Sequence, residues 1–148
     1  MSDAASNYNP DFEPTGIEGG VDTNLLPWLP LTHVQGVFVK PLRASMESGV
    51  FSLVMKISAG AALPASVFLG GMDLMILSGK LLYVAGDTGS ELEPGIWGYV
   101  PANTRIAEIK ALEDSEFLLN SYSAIALLDG ANGVRSILTS VDIQRMAK

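Results

Sequence analysis

Two glycine-bounded apolar stretches, fixed in order and separation, constrain this chain more than any other feature. The first runs from Gly60 through Ser66, Phe68 and Met72 to Gly79. The second runs from Gly95 through Pro101 and Asn103 to Ile106, with fifteen residues between Gly79 and Gly95. On a strand, Ser66 and Phe68 share a face, as do Met72, Leu74 and Ile76, while Asp73 turns to the other side. Gly79 stands between two apolar runs as a hairpin corner, a place that favours a residue free to adopt positive φ.

The remaining sequence extends this strand pattern in both directions. Short β-branched or aromatic runs occur at Val37–Pro41, Val50–Ile57, Val67–Leu69, Leu74–Leu77, Lys80–Val84, Ile96–Val100, Thr104–Lys110, Phe117–Leu128 and Val134–Leu138. Gly, Pro, Asn, Asp and Ser separate them, including Asp129-Gly130 and Asn132-Gly133, so an antiparallel all-β sandwich or barrel is expected rather than a βαβ or helical fold. Thr139 and Asp142 have the spacing of a capping box, which predicts a short C-terminal helix over Val141–Lys148. Before these strands, Leu25-Leu26-Pro27-Trp28-Leu29-Pro30-Leu31 is apolar but broken by prolines; it reads as an extended segment docked by Trp28 and the leucines. Residues 1–21 are polar with few apolar anchors and are expected to form a flexible N-terminal arm, leaving residues 22–148 as a single domain. A chain of 148 residues with 48% hydrophobic content is long enough for one such core.

With these residues laid out, the chain resembles the cupin superfamily. Its flanks are similar to those of acetylacetone-cleaving and dihydroxyacetophenone dioxygenases and of the cupin domain of ChrR-type anti-sigma factors, which have a Pro-Trp-x-Pro-like lead, here Pro27-Trp28-Leu29-Pro30, before a strand like Gly36–Leu42. The similarity spans roughly Asp22 to Asp142. It implies a double-stranded β-helix, or jelly-roll, barrel. In a cupin of this kind, two His, a Glu and a third His would occupy positions 66, 68, 72 and 106 and bind Fe, Mn, Ni or Zn. This chain has Ser66, Phe68, Met72 and Ile106 there. Two of these have no donor atom, a thioether is a soft ligand for such metals, and a hydroxyl is a weak one. His33, the sole histidine, lies upstream of both motifs and reads as a surface or otherwise satisfied residue. No metal or other cofactor is therefore expected.

Two readings of the interior follow. Ser66, Phe68, Met72, Leu74, Ile76, Trp97, Tyr99 and Ile106 either fill a barrel centre that no longer needs a metal or line an apolar pocket for a small apolar or aromatic ligand. Tyr83 reads as core or rim packing, or as part of the same wall. Asn103 and Arg105 sit at a turn from which they could meet a ligand carboxylate. Asp87-Thr88-Gly89-Ser90 imitates an aspartic-peptidase tetrad, but Gly86 precedes it where an apolar strand should deliver the aspartate, so it reads as an ordinary turn. Glu91 and Glu93 read as solvated charges beside it.

Charge and composition exclude several other classes. Nine basic against sixteen acidic residues give a net charge of −7 with no basic cluster, which disfavours nucleic acid and anionic membrane surfaces. The absence of cysteine removes disulfides, thiolate metal sites and thiol nucleophiles. No secretory leader or membrane span is legible, and a cytoplasmic protein is expected. The functional expectation is a metal-free cupin acting as a small-ligand-binding or regulatory module without catalysis. The alternatives are a dioxygenase of a β-dicarbonyl or aryl ketone and a purely structural dimer subunit. A homodimer is expected in any case, because a half-open barrel leaves strand edges to cover.

Overall fold

The computed structural model describes residues 11–12, 21–130 and 133–147. In chain order the elements are β1 (Asp11–Phe12), a 3-10 turn at Thr23–Leu25, β2 (Leu29–Pro30), β3 (Val37–Ser45), β4 (Phe51–Ile57), β5 (Ala62–Leu63), β6 (Ser66–Phe68), β7 (Met72–Ser78) and β8 (Leu81–Ala85). There follow β9 (Thr88–Leu92), β10 (Trp97–Val100), β11 (Arg105–Ile106), β12 (Glu108–Ala111), β13 (Ser115–Ser121), β14 (Ile125–Asp129), β15 (Gly133–Leu138) and α1 (Ser140–Met146). This is an all-β jelly-roll barrel with a short C-terminal helix.

The large sheet has the order β1-β3-β4-β13-β7-β10, with β2 also paired to β3. Two four-stranded sheets, β11-β6-β14-β15 and β5-β12-β8-β9, complete the barrel. Every pairing is antiparallel. Alternation sends Val37 and Val39 of β3, Phe51, Leu53, Met55 and Ile57 of β4, Phe117 and Leu119 of β13, and Met72, Leu74 and Ile76 of β7 to one face. They join Phe68, Leu81, Ile106, Ile109, Ile125 and Leu127 from the smaller sheets in one hydrophobic core.

The corner between β7 and β8 shows why glycine is required there. Gly79 has φ of 83°, and a Cβ on it would lie 2.3 Å from both the Asp114 carbonyl oxygen and Ser115 Oγ. Buried Ser115 secures the corner: its hydroxyl accepts from the Lys80 N–H at 2.9 Å and lies 2.8 Å from the Glu113 carbonyl. At Gly60, by contrast, φ is 85° but no atom lies within 4 Å of the added Cβ, so only the backbone angle calls for glycine.

Several expectations are revised in detail. The run Phe117–Leu128 divides into β13 and β14 because Tyr122-Ser123-Ala124 makes a bend, with the Tyr122 N–H donating to Gly71 O and Ser121 Oγ to Ser123 O. The run Thr104–Lys110 breaks at Ala107, whose N–H crosses to Val84 O. Thr88, Gly89 and Ser90, read as a turn, belong to β9, which pairs residue by residue with β8. The expected helix begins at Ser140 and carries the full capping box: Asp142 N–H donates to Thr139 Oγ1, and Thr139 N–H donates to Asp142 Oδ2. In the proline-broken lead, Trp28 is half-buried with the Lys40 and Lys56 ammonium groups 4.4 and 4.6 Å from its ring centre. Leu25, expected to help dock this segment, is 80% exposed. The expected arm over residues 1–21 lies outside the described residues apart from Asp11–Phe12, which pairs with β3 at Ala44 and Ser45, and Val21.

Candidate functional site in the barrel interior

The four positions singled out by the motif spacing meet inside the barrel. On β6, Ser66 lies across from Ile106 of β11 on one side and Leu127 of β14 on the other, and Phe68 lies across from Ile125. Met72 opens β7 between Val100 of β10 and Ser121 of β13. Ser66, Phe68, Met72 and Ile106 are all fully buried, and Leu74 and Ile76 join them on the inward face of β7. Asp73, one residue from Met72, is on the opposite face, as alternation requires.

This donor set does not fit a divalent metal. A facial site needs at least three nitrogen or oxygen ligands converging at about 2.0–2.3 Å. Here the converging side chains offer one hydroxyl and one thioether, surrounded by hydrocarbon. Among the described residues no cluster of three or more His, Cys, Asp or Glu could hold a metal ion. His33 is exposed in the turn that follows β2, outside the interior. The Ser66 hydroxyl is the one fully buried side-chain oxygen that has no hydrogen-bond partner among the described residues.

Trp97 and Tyr99, expected in the interior with Phe68 and Met72, are placed elsewhere. They are 58% and 62% exposed on the outer face of the large sheet, their rings parallel within 10° and 6.4 Å apart. The inward positions of β10 belong to Gly98 and Val100, which pair with Leu74 and Met72. Tyr99 still forms one wall of a hollow of about 180 Å³ between β10 and the β8–β9 hairpin, lined also by Leu74, Tyr83, Leu92 and Val100. Burial pushes the Tyr83 phenol above its ordinary value. Asn103 and Arg105 are exposed rather than aimed inward. Asn103 turns the chain at φ of 64° and its N–H donates to Phe68 O, while the Arg105 guanidinium donates to Gly130 O at 3.4 Å.

Inspection of the sequence missed a polar ladder on the outer face of the large sheet. Ser52 Oγ donates to Asn120 Oδ1 at 2.6 Å, Asn120 Nδ2 donates to Asp73 Oδ1 at 2.8 Å, and the Tyr122 hydroxyl donates to Asp73 Oδ2. The bond to Asp73 holds the Tyr122 phenol above its usual range. Its three strands are far apart in sequence, so only the pairing register reveals it.

Comparison with known proteins agrees with this architecture. The family model of the ChrR Cupin-like domain matches residues 18–126. Among solved structures, a candidate acetylacetone dioxygenase from Methylibium petroleiphilum PM1 superposes with a TM-score of 0.79 at 22% identity, covering 87% of this chain and 93% of that one. An acetylacetone dioxygenase from Acinetobacter johnsonii gives 0.75 at 15% identity, covering 86% and 88%. An RmlC-like cupin protein from Ralstonia eutropha JMP134 gives 0.77 at 20% identity, covering 86% and 83%. At these identities the likeness is one of fold. No curated protein matches the chain in sequence.

Proposed function

The chain belongs to the ChrR cupin-like domain family, and within that family we propose that it is a metal-free cupin, a binding or regulatory module rather than an oxygenase. The observation that carries this reading is the composition of the four convergent positions, Ser66, Phe68, Met72 and Ile106, which together supply no nitrogen or carboxylate ligand. A dioxygenase acting on a β-dicarbonyl or aryl ketone would need an Fe(II) centre at this place to activate oxygen, and the side chains present cannot assemble one. The interior core supports recognition at the surface or at the barrel's edge over entry of a ligand to its centre. The hollow of about 180 Å³ beside Tyr83 and Tyr99 favours a second form of the reading, in which a small apolar or aromatic molecule binds there. It is below the ~300 Å³ at which drug-sized pockets begin, so only a compact ligand suits it.

Pairing of two copies belongs to the same proposal. β10 is the terminal strand of the large sheet, and Met75, Leu77, Trp97 and Tyr99 are exposed on its outer face or nearby, an apolar surface that a second copy would remove from water. Work in the cytoplasm is likewise proposed; no helix among the described residues is long and apolar enough to cross a membrane. The test is elemental analysis of protein purified without chelators, combined with oxygen uptake in the presence of acetylacetone. Iron, manganese, nickel and zinc each well below one per chain, with no oxygen consumption, are expected. About one metal per chain with turnover would establish the dioxygenase reading instead.

A further inference from the structure

Outside the barrel's centre, the turn after β2, the β14–β15 hairpin and α1 enclose a hollow of about 340 Å³. Its floor is hydrocarbon: Leu31, Leu127 and Leu138 are buried members of the core, and Met146 of α1 packs beside them. The rim is polar, with His33 on the turn, Arg145 on α1 and Ser136 between. Neither His33 nor Arg145 has an ion pair or hydrogen bond to a described side chain, although the protein carries sixteen acidic residues against nine basic ones. The one carboxylate on the rim, Asp142, is taken up by the helix cap, its Oδ2 accepting from Thr139 N at 2.9 Å and Thr139 Oγ1 at 3.0 Å.

The backbone at His33 fixes where the ring stands. Val34 N–H donates to Leu31 O at 3.1 Å, which makes His33 the third residue of a tight turn, and its φ is 65°. That position ordinarily takes Gly or Asn, because other side chains are disfavoured in the left-handed region. Histidine is among the side chains that this region tolerates, and the turn sets the imidazole at the lip of the apolar hollow.

We propose that this hollow binds a small amphipathic carboxylate, its hydrocarbon body lying on Leu31, Leu127 and Leu138 and its carboxylate held by Arg145 and the His33 imidazole. The guanidinium fork matches a carboxylate in two parallel hydrogen bonds. A singly charged head suits the rim better than a phosphate dianion, because Asp142 and the net charge of −7 oppose further negative charge. The volume lies at the low end of small-molecule sites, about 300–1,000 Å³. The inference goes beyond the metal-free reading and does not rest on it, since none of its residues is at the four interior positions.

Calorimetric titration of the full chain with octanoate, octan-1-ol and acetate tests it. Octanoate should bind once per chain, about tenfold tighter than either the neutral alcohol or the chainless acid. R145Q should weaken octanoate about tenfold and leave octanol unchanged. H33N should also weaken octanoate while raising the melting temperature, because asparagine tolerates the left-handed turn better. If R145Q melts early, the H33N result decides alone. Octanoate binding no tighter than octanol, or full octanoate affinity in a folded R145Q or H33N protein, would overturn the assignment.

Discussion

At the scale of the residue, Ser66 carries an oxygen in surroundings that offer it nothing. Its hydroxyl is fully buried without a partner among the described residues, between Ile106 and Leu127. An unmade hydrogen bond in such a place costs about 1–3 kcal/mol, and removing the hydroxyl takes away little packing. Ser66→Ala should therefore raise stability by about 1 kcal/mol, seen as a rise of about 3 °C in melting temperature. A fall of that size would show that the hydroxyl makes a stabilising hydrogen bond, for instance to a buried water. The same scale shows what could be read of the site beforehand. The inward turn of Met72, Leu74 and Ile76 was legible from alternation with Asp73, whereas that of Ser66, Phe68 and Ile106 followed from the resemblance in motif spacing, since β6 has only Val67 as its alternate. Trp97 and Tyr99 were illegible for the converse reason: Ile96-Trp97-Gly98-Tyr99-Val100 has no polar residue to mark its wet side. The face that turned inward holds glycine, which leaves room for Leu74, 3.5 Å from where its Cβ would be.

At the scale of the element, the two ends of the first motif make unequal demands. Gly60→Ala meets only the left-handed backbone penalty, about 1–2 kcal/mol. Gly79→Ala adds a collision with Asp114 O and Ser115 Oγ at the β7–β8 corner and should cost about 2–5 kcal/mol. Chemical denaturation of the two variants side by side measures this. Equal losses would mean that the corner can relax around a methyl group. Most of the strands were readable, since β3, β4, β7, β8 and β10 have the apolar content and glycine or proline boundaries that hydrophobic patterning detects. β9 was not, because Thr88 to Glu91 are exposed and polar and are held as a strand only by their ladder to β8. The bend at Tyr122–Ala124 was hidden as well: the hydrogen bond from Tyr122 N–H to Gly71 O that breaks the run comes from a residue far away in the chain.

At the scale of the whole molecule, the proposed metal-free reading concerns the core around the four positions as much as the four side chains themselves. An imidazole ligand normally has its second nitrogen bound to a carboxylate or carbonyl that fixes its orientation. Around positions 66, 68 and 106 the cross-strand neighbours are Leu127, Ile125 and one another. The triple variant S66H/F68H/I106H is therefore expected to be less stable and to show no oxygen uptake with added Fe(II) and acetylacetone. Robust oxygen consumption would mean that the oxygenase environment had survived the loss of its ligands. The layered sheet order also sets how the molecule breathes. β4, β13 and β7 each have a strand on both sides, so their amide protons can meet solvent only when the barrel as a whole comes apart. β15 and α1 lie at a margin and can open alone. Exchange with deuterium would accordingly separate a slow centre from a fast rim, and the rim includes β15 and α1, the helix that carries Arg145.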